Sequence, residues 1–345
     1  MDNIVYIVST EYQLILTIGI IKQYHSMNCN NVVVRVSPIG GKRLNNLNFT
    51  GTCWDYREIV YDYNNPPKTL KDDLQQIICL KPRKLYFFLE NKFWLNYLFS
   101  KLHKNKTTII LAPDGMKVYN NHHYYTTKQR AWLLLKGIKC SLHTKLFPPF
   151  PLVEKTYATS KYIDEVWVEH PQYYNNITNK RVVEFHYAID GHFVNILMNV
   201  FVAKDDDFLT IKEGATILFL DSGYDTEDYY NRTISILNEL IGKFPNRKLL
   251  VKYHPLSISK AQKAFSSIKN KAEVNSSYPA ELYLAAAKDA IVISMVSTSE
   301  LFFNPNCKYF WIYKLYSDMY SYDAMKNPTD YIHVVKDINQ IREDL

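Results

Sequence analysis

Four short stretches place chemistry-bearing side chains directly after apolar runs. Lys252-Tyr253-His254-Pro255 closes Lys248-Leu249-Leu250-Val251 and leads into Leu256-Ser257-Ile258-Ser259. A histidine there sits at the carboxyl end of a buried strand, the edge at which open α/β sheets take ligands. Its imidazole can face the phosphate of a nucleotide-activated sugar. Asp114-Gly115 follows Ile109-Ile110-Leu111-Ala112-Pro113. A carboxylate in that position can take the proton of an acceptor hydroxyl, and Gly115 permits a positive-φ turn or a close ligand. Ser297-Thr298-Ser299 stands between a strand and a helix that begins near Glu300. Hydroxyls and backbone N–H groups at such a helix start can hold an anion. Glu281, in the first turn after Pro279, can accept hydrogen bonds from a ribose diol. Each stretch also has a plain structural use: a turn, a strand-end histidine without chemistry, an N-cap run and a surface glutamate matched to the helix dipole.

The elements that must position these residues alternate. Val5 to Ser9 reads as a strand and Leu14 to Lys22 as a helix. Ser9 or Thr10 caps that helix, with Gln13 near the capping-box position. Strand, tight turn and helix open a Rossmann-like unit, and without a GxGxxG a dinucleotide is not expected. Strands over 31–37, 58–61, 84–89, 107–111, 165–168 and 181–185 interleave with helices over 70–80, 94–102 and 126–138. The rhythm restarts with strands over 216–220, 249–253, 289–293 and 308–313. Helices over 226–241 and 257–268, and one opened by Pro279-Ala280-Glu281, lie between them. This alternation predicts an α/β fold with parallel sheets covered on both faces. The pattern weakens after Asp190-Gly191 into a short helix and an acidic run, Asp205-Asp206-Asp207. Two domains are therefore expected, 1–190 and 214–325, joined by a linker over 191–213. The tail over 326–345, helical from Asp337, is expected to pack back on the first domain.

The chain has 345 residues, enough for two cores. Hydrophobic content of 47% and charged content of 22% place it among ordinary globular proteins. No uninterrupted apolar run reaches the length of a transmembrane helix. The N-terminus lacks a basic region followed by a cleavage site, so no signal peptide is expected. Five cysteines without a CxxC point to reduced thiols in the cytoplasm, not to zinc or a disulfide framework. A formal charge of +7 is modest and suits an anionic small substrate, an anionic membrane surface, or neither. It is too dispersed to argue for nucleic acid, and no RNP, KH or Lys/Arg cluster supports an RNA-binding alternative.

Three further features are set aside. His170-Pro171 also follows a strand but has Tyr173-Tyr174, not hydroxyls, after it. Asp205-x-Asp207 matches a metal-binding DxD in letters but lies in a polar connector. His122-His123 reads as an exposed loop pair. No spacing of His, Cys, Asp or Glu resembles a zinc site.

Taken together, the motifs resemble those of bacterial sialyltransferases of the lipooligosaccharide sialyltransferase and polysialyltransferase type. Pro113-Asp114-Gly115 is similar to that family's acidic-Asp-Gly motif. Tyr253-His254-Pro255 is similar to its His-Pro motif and Ser297-Thr298-Ser299 to its Ser/Thr motif, in the same order. Ser9-Thr10-Glu11-Tyr12-Gln13-Leu14 looks like the N-terminal Thr-Pro-x-Gln-Leu stretch, and Tyr278-Pro279-Ala280-Glu281 like the Pro-Ala-Glu segment. Two positions depart: Pro113 precedes Asp114 where the family has an acid, and Glu11 stands where it has Pro.

The resemblance implies a GT-B architecture, two Rossmann-like domains facing across a cleft. It implies inverting, metal-independent transfer of a nonulosonic acid from CMP-sialic acid to a glycan hydroxyl of lipopolysaccharide, O-antigen or capsule, with no cofactor. In it Asp114 is the general base, and His254 with Pro255, Ser297, Thr298 and Ser299 serves the phosphate. Glu281 serves the ribose, and Thr10, Gln13 and Gly115 lie on the acceptor side. It implies a cytoplasmic enzyme, peripheral on the inner membrane where its acceptor is lipid-linked, with no nucleic-acid partner. A related CMP-activated acid (Kdo, legionaminic or pseudaminic) is an alternative donor. A CDP-glycerol glycerophosphotransferase is an alternative reaction.

Overall fold

The structure, a computed structural model, describes residues 1–38, 47–61, 66–90, 92–119, 126–149, 157–316, 319, 327 and 329–343. The chain divides into two compact units, Met1–Ala188 and Ile189–Leu345.

The first unit holds a seven-stranded sheet of β1 (Asp2–Val8), β2 (Cys29–Pro38), β3 (Trp54–Tyr61), β4 (Lys84–Phe87), β5 (Thr108–Leu111), β6 (Glu165–Val168) and β7 (Arg181–Glu184). Their order is β3-β2-β1-β4-β5-β6-β7, and every pairing is parallel. Its helices are α1 (Glu11–Tyr24), α2 (Leu70–Cys79), α3 (Leu95–Lys104) and α4 (Thr127–His143). The inner strands β1, β4, β5 and β6 are apolar runs, such as Thr108-Ile109-Ile110-Leu111 in β5, because both faces of a parallel sheet are covered. Helix α1 is buried without a break from Gln13 to Ile21, as expected of a helix apolar on all sides.

The second unit holds α5 (Gly191–Val200), α6 (Leu209–Glu213), β8 (Thr216–Leu220), α7 (Glu227–Lys243), β9 (Lys248–Lys252), α8 (Ile258–Ala264), β10 (Lys271–Glu273), α9 (Ala280–Ala286), β11 (Ala290–Ser294), β12 (Cys307–Trp311) and β13 (Ile332–Val334). Its sheet runs β10-β9-β8-β11-β12-β13, again parallel throughout. In α7 an apolar stripe from Tyr229 through Thr233, Ile236, Leu237 and Leu240 is buried, and the Thr226 hydroxyl caps the helix on the Tyr229 N–H. Both sheets share one plan. The first strand is central, the next two extend to one side, and the fourth crosses to the other. The crevice where strand order reverses lies between β1 and β4 in one unit and between β8 and β11 in the other.

One expectation about organisation is corrected. Residues 191–213 are not a linker: α5, a 3-10 turn over Asp205–Phe208 and α6 belong to the second unit. Phe193, Leu197 and Val200 recur at helical spacing and are buried, as are Phe208 and Ile211; the acidic run masks this pattern. The tail belongs to the second unit. Asp337 caps one 3-10 turn, Ile338–Gln340, and Val335, Ile338 and Ile341 join Leu237 and Phe310 in the core of the second unit. The edge strands β10 and β13 have three residues each, too short to show a sequence period.

Candidate active site

In the first unit, β5 ends at Leu111 and Asp114 follows three residues later. Gly115, at φ +62, turns the chain into a 3-10 turn over Gly115–Val118 with Asp114 at its head. Positive φ there is strained for a side-chain-bearing residue. The Asp114 carboxylate Oδ1 accepts a 2.7 Å hydrogen bond from Gln13 Nε2. Gln13 is itself fixed: its Oε1 accepts from the Ser9 N–H at 2.7 Å, and its own N–H donates to Thr10 Oγ1 at 3.2 Å. With oxygen committed to Ser9, the amide must present its NH2 to Asp114. Strands β1 and β5 flank β4, so residues far apart in sequence meet at one sheet edge. Thr10, Gln13, Asp114 and Gly115 are thus brought together. Behind Asp114, the Tyr157 hydroxyl donates to the Ala112 carbonyl at 2.6 Å.

A small concavity opens at the β1/β4 reversal, lined by Ser9, Gln13, Phe88, Leu89, Lys92 and Trp94 among others. Trp94 is fully buried, and its indole N–H has no hydrogen-bond partner. Glu90, beside it in sequence, is also fully buried and accepts from the backbone N–H groups of Thr159 (3.2 Å) and Ser160 (2.9 Å). Burial pushes its carboxyl up to about 7, against the pull of those amides. His170-Pro171 lies at the same edge, after β6. The His170 N–H donates to the Tyr119 hydroxyl at 3.2 Å, and burial pushes the neighbouring Glu169 carboxyl up to about 8.

In the second unit, β9 ends at Lys252 and His254 follows. The Leu256 N–H donates to His254 Nδ1 at 3.3 Å. A neutral ring that accepts at Nδ1 carries its proton on Nε2. The His254 N–H donates to Asp221 Oδ2 at 3.1 Å, and the Ser257 hydroxyl donates to the same oxygen at 3.0 Å. Asp221 Oδ1 accepts from the Tyr229 hydroxyl at 2.8 Å. This one buried carboxylate therefore ties the end of β8 to the histidine turn and to α7. The ring lies directly over Gly223 (φ +72), where an added Cβ would stand 2.4 Å from His254 Nδ1.

Glu281 and Ser299 are also brought together. Glu281, 4% exposed, leads α9 and is hydrogen-bonded by the Ser299 hydroxyl and its own N–H. Burial raises its pKa, offset in part by those bonds and by Lys252. Lys252 is buried too, at the end of β9. The Ser297 hydroxyl accepts from the Ser299 N–H at 3.2 Å, so it caps its own turn. Thr298 is exposed. The helix expected near Glu300 is a single 3-10 turn, Thr298–Leu301. Glu300 and Leu301 plunge into the core, and the buried Asn304 side chain ties the chain to the Leu284 and Ala287 carbonyls, which ends the turn. An anion there would meet N–H and O–H groups without a long helix dipole behind them.

The sequence assigns no role to Asp221, Gly223, Lys252, Trp94 or Tyr157. The available signal was Asp221-Ser222-Gly223 directly after the apolar Thr216–Leu220 run, at the reversal point of the second sheet. Asp205-x-Asp207 proves to be a surface turn, with Asp205 paired to Lys212 at 2.7 Å. His122-His123 lies outside the described residues. Among the described residues no group of three or more His, Cys, Asp or Glu is placed to hold a metal ion, and no helix is long and apolar enough to cross a membrane.

Two Rossmann-like units in one chain, each with polar residues at its carboxyl edge, make up the GT-B fold. The GT-B domain of a sialyltransferase from Photobacterium damselae is similar, with a TM-score of 0.53 and 13% identity over 90% of each chain. A longer form of a sialyltransferase from Photobacterium damsela gives a TM-score of 0.54 at 13% identity, over 97% of this chain and 81% of that one. A 2,6-sialyltransferase of a Photobacterium species, solved with the donor product CMP and the acceptor lactose, gives 0.51 at 12% identity, over 88% and 69%. No curated protein sequence matches the chain. The chain belongs to the alpha-2,8-polysialyltransferase family, whose model, Alpha-2,8-polysialyltransferase (POLYST), matches residues 4–308.

Proposed function

We propose that this glycosyltransferase moves a nonulosonic acid from its CMP donor to a hydroxyl of a bacterial surface glycan, with inversion. The observation that carries the reading is His254. Its Nδ1 is occupied by the Leu256 N–H, and Asp221 fixes its backbone. The ring is thereby set to donate from Nε2 to the departing phosphate. Asp114, oriented by Gln13, takes the proton of the acceptor hydroxyl as its oxygen bonds to the anomeric carbon. The bond from that carbon to the phosphate oxygen breaks, and CMP leaves with the electron pair. The Ser299 hydroxyl and the backbone of 297–299 assist the phosphate. Glu281, with Ser299 on its carboxylate, serves the ribose. CMP carries one phosphate, so an imidazole and hydroxyls can do the work for which a diphosphate donor often recruits a divalent ion. The reaction then needs no metal and survives chelation. Five free thiols suit the reducing cytoplasm.

The donor product in the similar 2,6-sialyltransferase is CMP, which supports the choice of nucleotide. Glycerophosphotransfer from CDP-glycerol would call for a second histidine at the donor edge. The other histidines of the second unit are His192 in α5 and His333 in β13. Thermal-shift measurements with CMP, CDP, UDP and GDP test the reading, because a ligand that binds only the folded state raises its Tm. Selective stabilisation by CMP is expected, with CMP released from CMP-sialic acid and not glycerol phosphate from CDP-glycerol. Stabilisation by UDP or GDP alone would overturn it.

A further inference from the structure

Helix α4 is covered along one narrow side only. Of its seventeen residues, Gly137, Cys140 and Ser141 are buried. The opposite side carries Trp132, Leu135 and Leu142, exposed at 59%, 68% and 58%. Leu135 and Leu142 are two helical turns apart. Lys128, seven residues before Leu135, and Lys139, four after it, fall on the same stripe. The Lys136 ammonium stands 5.0 Å from the centre of the Trp132 ring. The sequence from Asp114 to Glu154 contains no acidic residue between those two, while Lys and Arg recur through it. A full capping box, Thr126 with Gln129, secures the helix start, so the exposed face belongs to a well-terminated helix and not to a frayed end.

We propose that this face of α4 docks on an anionic lipid surface. Tryptophan and leucine enter the boundary between headgroups and acyl chains, and the lysines reach lipid phosphates along their apolar stems. Charge decides between this occupant and others. A second copy meeting the same face about a two-fold axis would gather Lys128, Lys136 and Lys139 of both copies into one seam, with no acid on the helix to pair them. A soluble polyanion would satisfy the lysines but leave Leu135 and Leu142 in water. An anionic amphiphilic surface accepts both kinds of side chain at once. The inference does not depend on the donor sugar.

The test is co-sedimentation of the full chain with vesicles of phosphatidylcholine alone and of phosphatidylcholine mixed with phosphatidylglycerol. Binding to the mixed vesicles only is expected, weakening as salt rises. Lys136→Gln with Lys139→Gln should bind about 25-fold less tightly, roughly fivefold for each lysine removed near the surface. Trp132→Gln with Leu135→Gln and Leu142→Gln should abolish binding and leave the melting temperature unchanged, since all three are exposed. Brominated lipid should quench part of the tryptophan fluorescence of the native chain but not that part in Trp132→Phe. Three results would each overturn the proposal: no sedimentation of the native chain, sedimentation that survives the triple substitution, or a dimer in sedimentation equilibrium that the triple substitution dissolves.

Discussion

Adding one methyl group at Gly223 should disable the donor-side histidine without touching it chemically. The backbone there has φ +72, and the new Cβ would stand 2.4 Å from His254 Nδ1 and 2.7 Å from Cγ. The left-handed conformation alone costs an alanine about 1–2 kcal/mol. To restore an ordinary 3.4 Å contact the ring must retreat by the difference, 3.4 − 2.4 = 1.0 Å. That retreat stretches the 3.3 Å bond from the Leu256 N–H out of hydrogen-bond range and loosens the control over which nitrogen keeps the proton. A misplacement of this size costs about 100-fold in rate. Gly223→Ala should therefore melt roughly 3–6 °C lower and release CMP from CMP-sialic acid about 100-fold more slowly. In a His254→Ala background the methyl group has room, so the same substitution should cost only its backbone strain. The coupling energy from the double-mutant cycle separates clash from strain. A Gly223→Ala enzyme with native turnover, or a cycle with no coupling, would refute the contact between this glycine and a working imidazole.

Other outcomes follow from the same geometry. Asp114→Ala should lower transfer by about 10²–10⁴-fold while CMP still raises the melting temperature, whereas His254→Ala should lower both turnover and the CMP-induced shift; equal transfer by Asp114→Ala and the native chain would remove the proposed base. Asp221→Ala strips one acceptor from three donors and should cost roughly 3 kcal/mol or more. Asp221→Asn should recover most of this, because its oxygen can serve His254 and Ser257 while the Tyr229 hydroxyl turns to accept; equal chemical denaturation midpoints for the two variants would contradict that account. Burial raises the Glu90 carboxyl to about 7 from the ordinary 4.5, so the folded chain holds a proton that the unfolded chain releases first. The stability contributed at this position should fall as pH rises from 4.5 to about 7 and level off above, by at most roughly 3 kcal/mol. Glu90→Gln should gain on the native chain through that window, and parallel melting curves across it would exclude the effect.

The parts of the site legible in the sequence were those set by local order. His254 and Asp114 each end an apolar run, and the run alone puts them at a sheet edge. What the sequence hides is adjacency across the sheet. Gln13 reaches Asp114 only because β1 and β5 lie on either side of β4, an order that no local pattern encodes. Asp221 looks like any strand-end aspartate until β8 and β9 pair and bring the His254 N–H to it. Ser297-Thr298-Ser299 suggests the start of a helix near Glu300. Burial of Glu300 and Leu301 and the turn at Asn304 stop it after four residues. The connector after Asp190 was obscured in the opposite way. Three adjacent aspartates read as a solvated linker, while Phe193, Leu197 and Val200 carry the helix into the core.

The bonds around Asp114 and those around His254 each close within one contiguous stretch of chain. Gln13, Asp114 and Tyr157 precede residue 188, and Asp221, His254, Glu281 and Ser299 follow it. During synthesis the acceptor-side arrangement can therefore be finished before the donor-side sequence has left the ribosome, since domains fold as units from the N-terminus. For such a chain the vulnerable moment in biogenesis lies inside the first unit. Until Tyr187 has been made, Gly19 of the apolar helix that begins at Glu11 lacks the ring that packs on it.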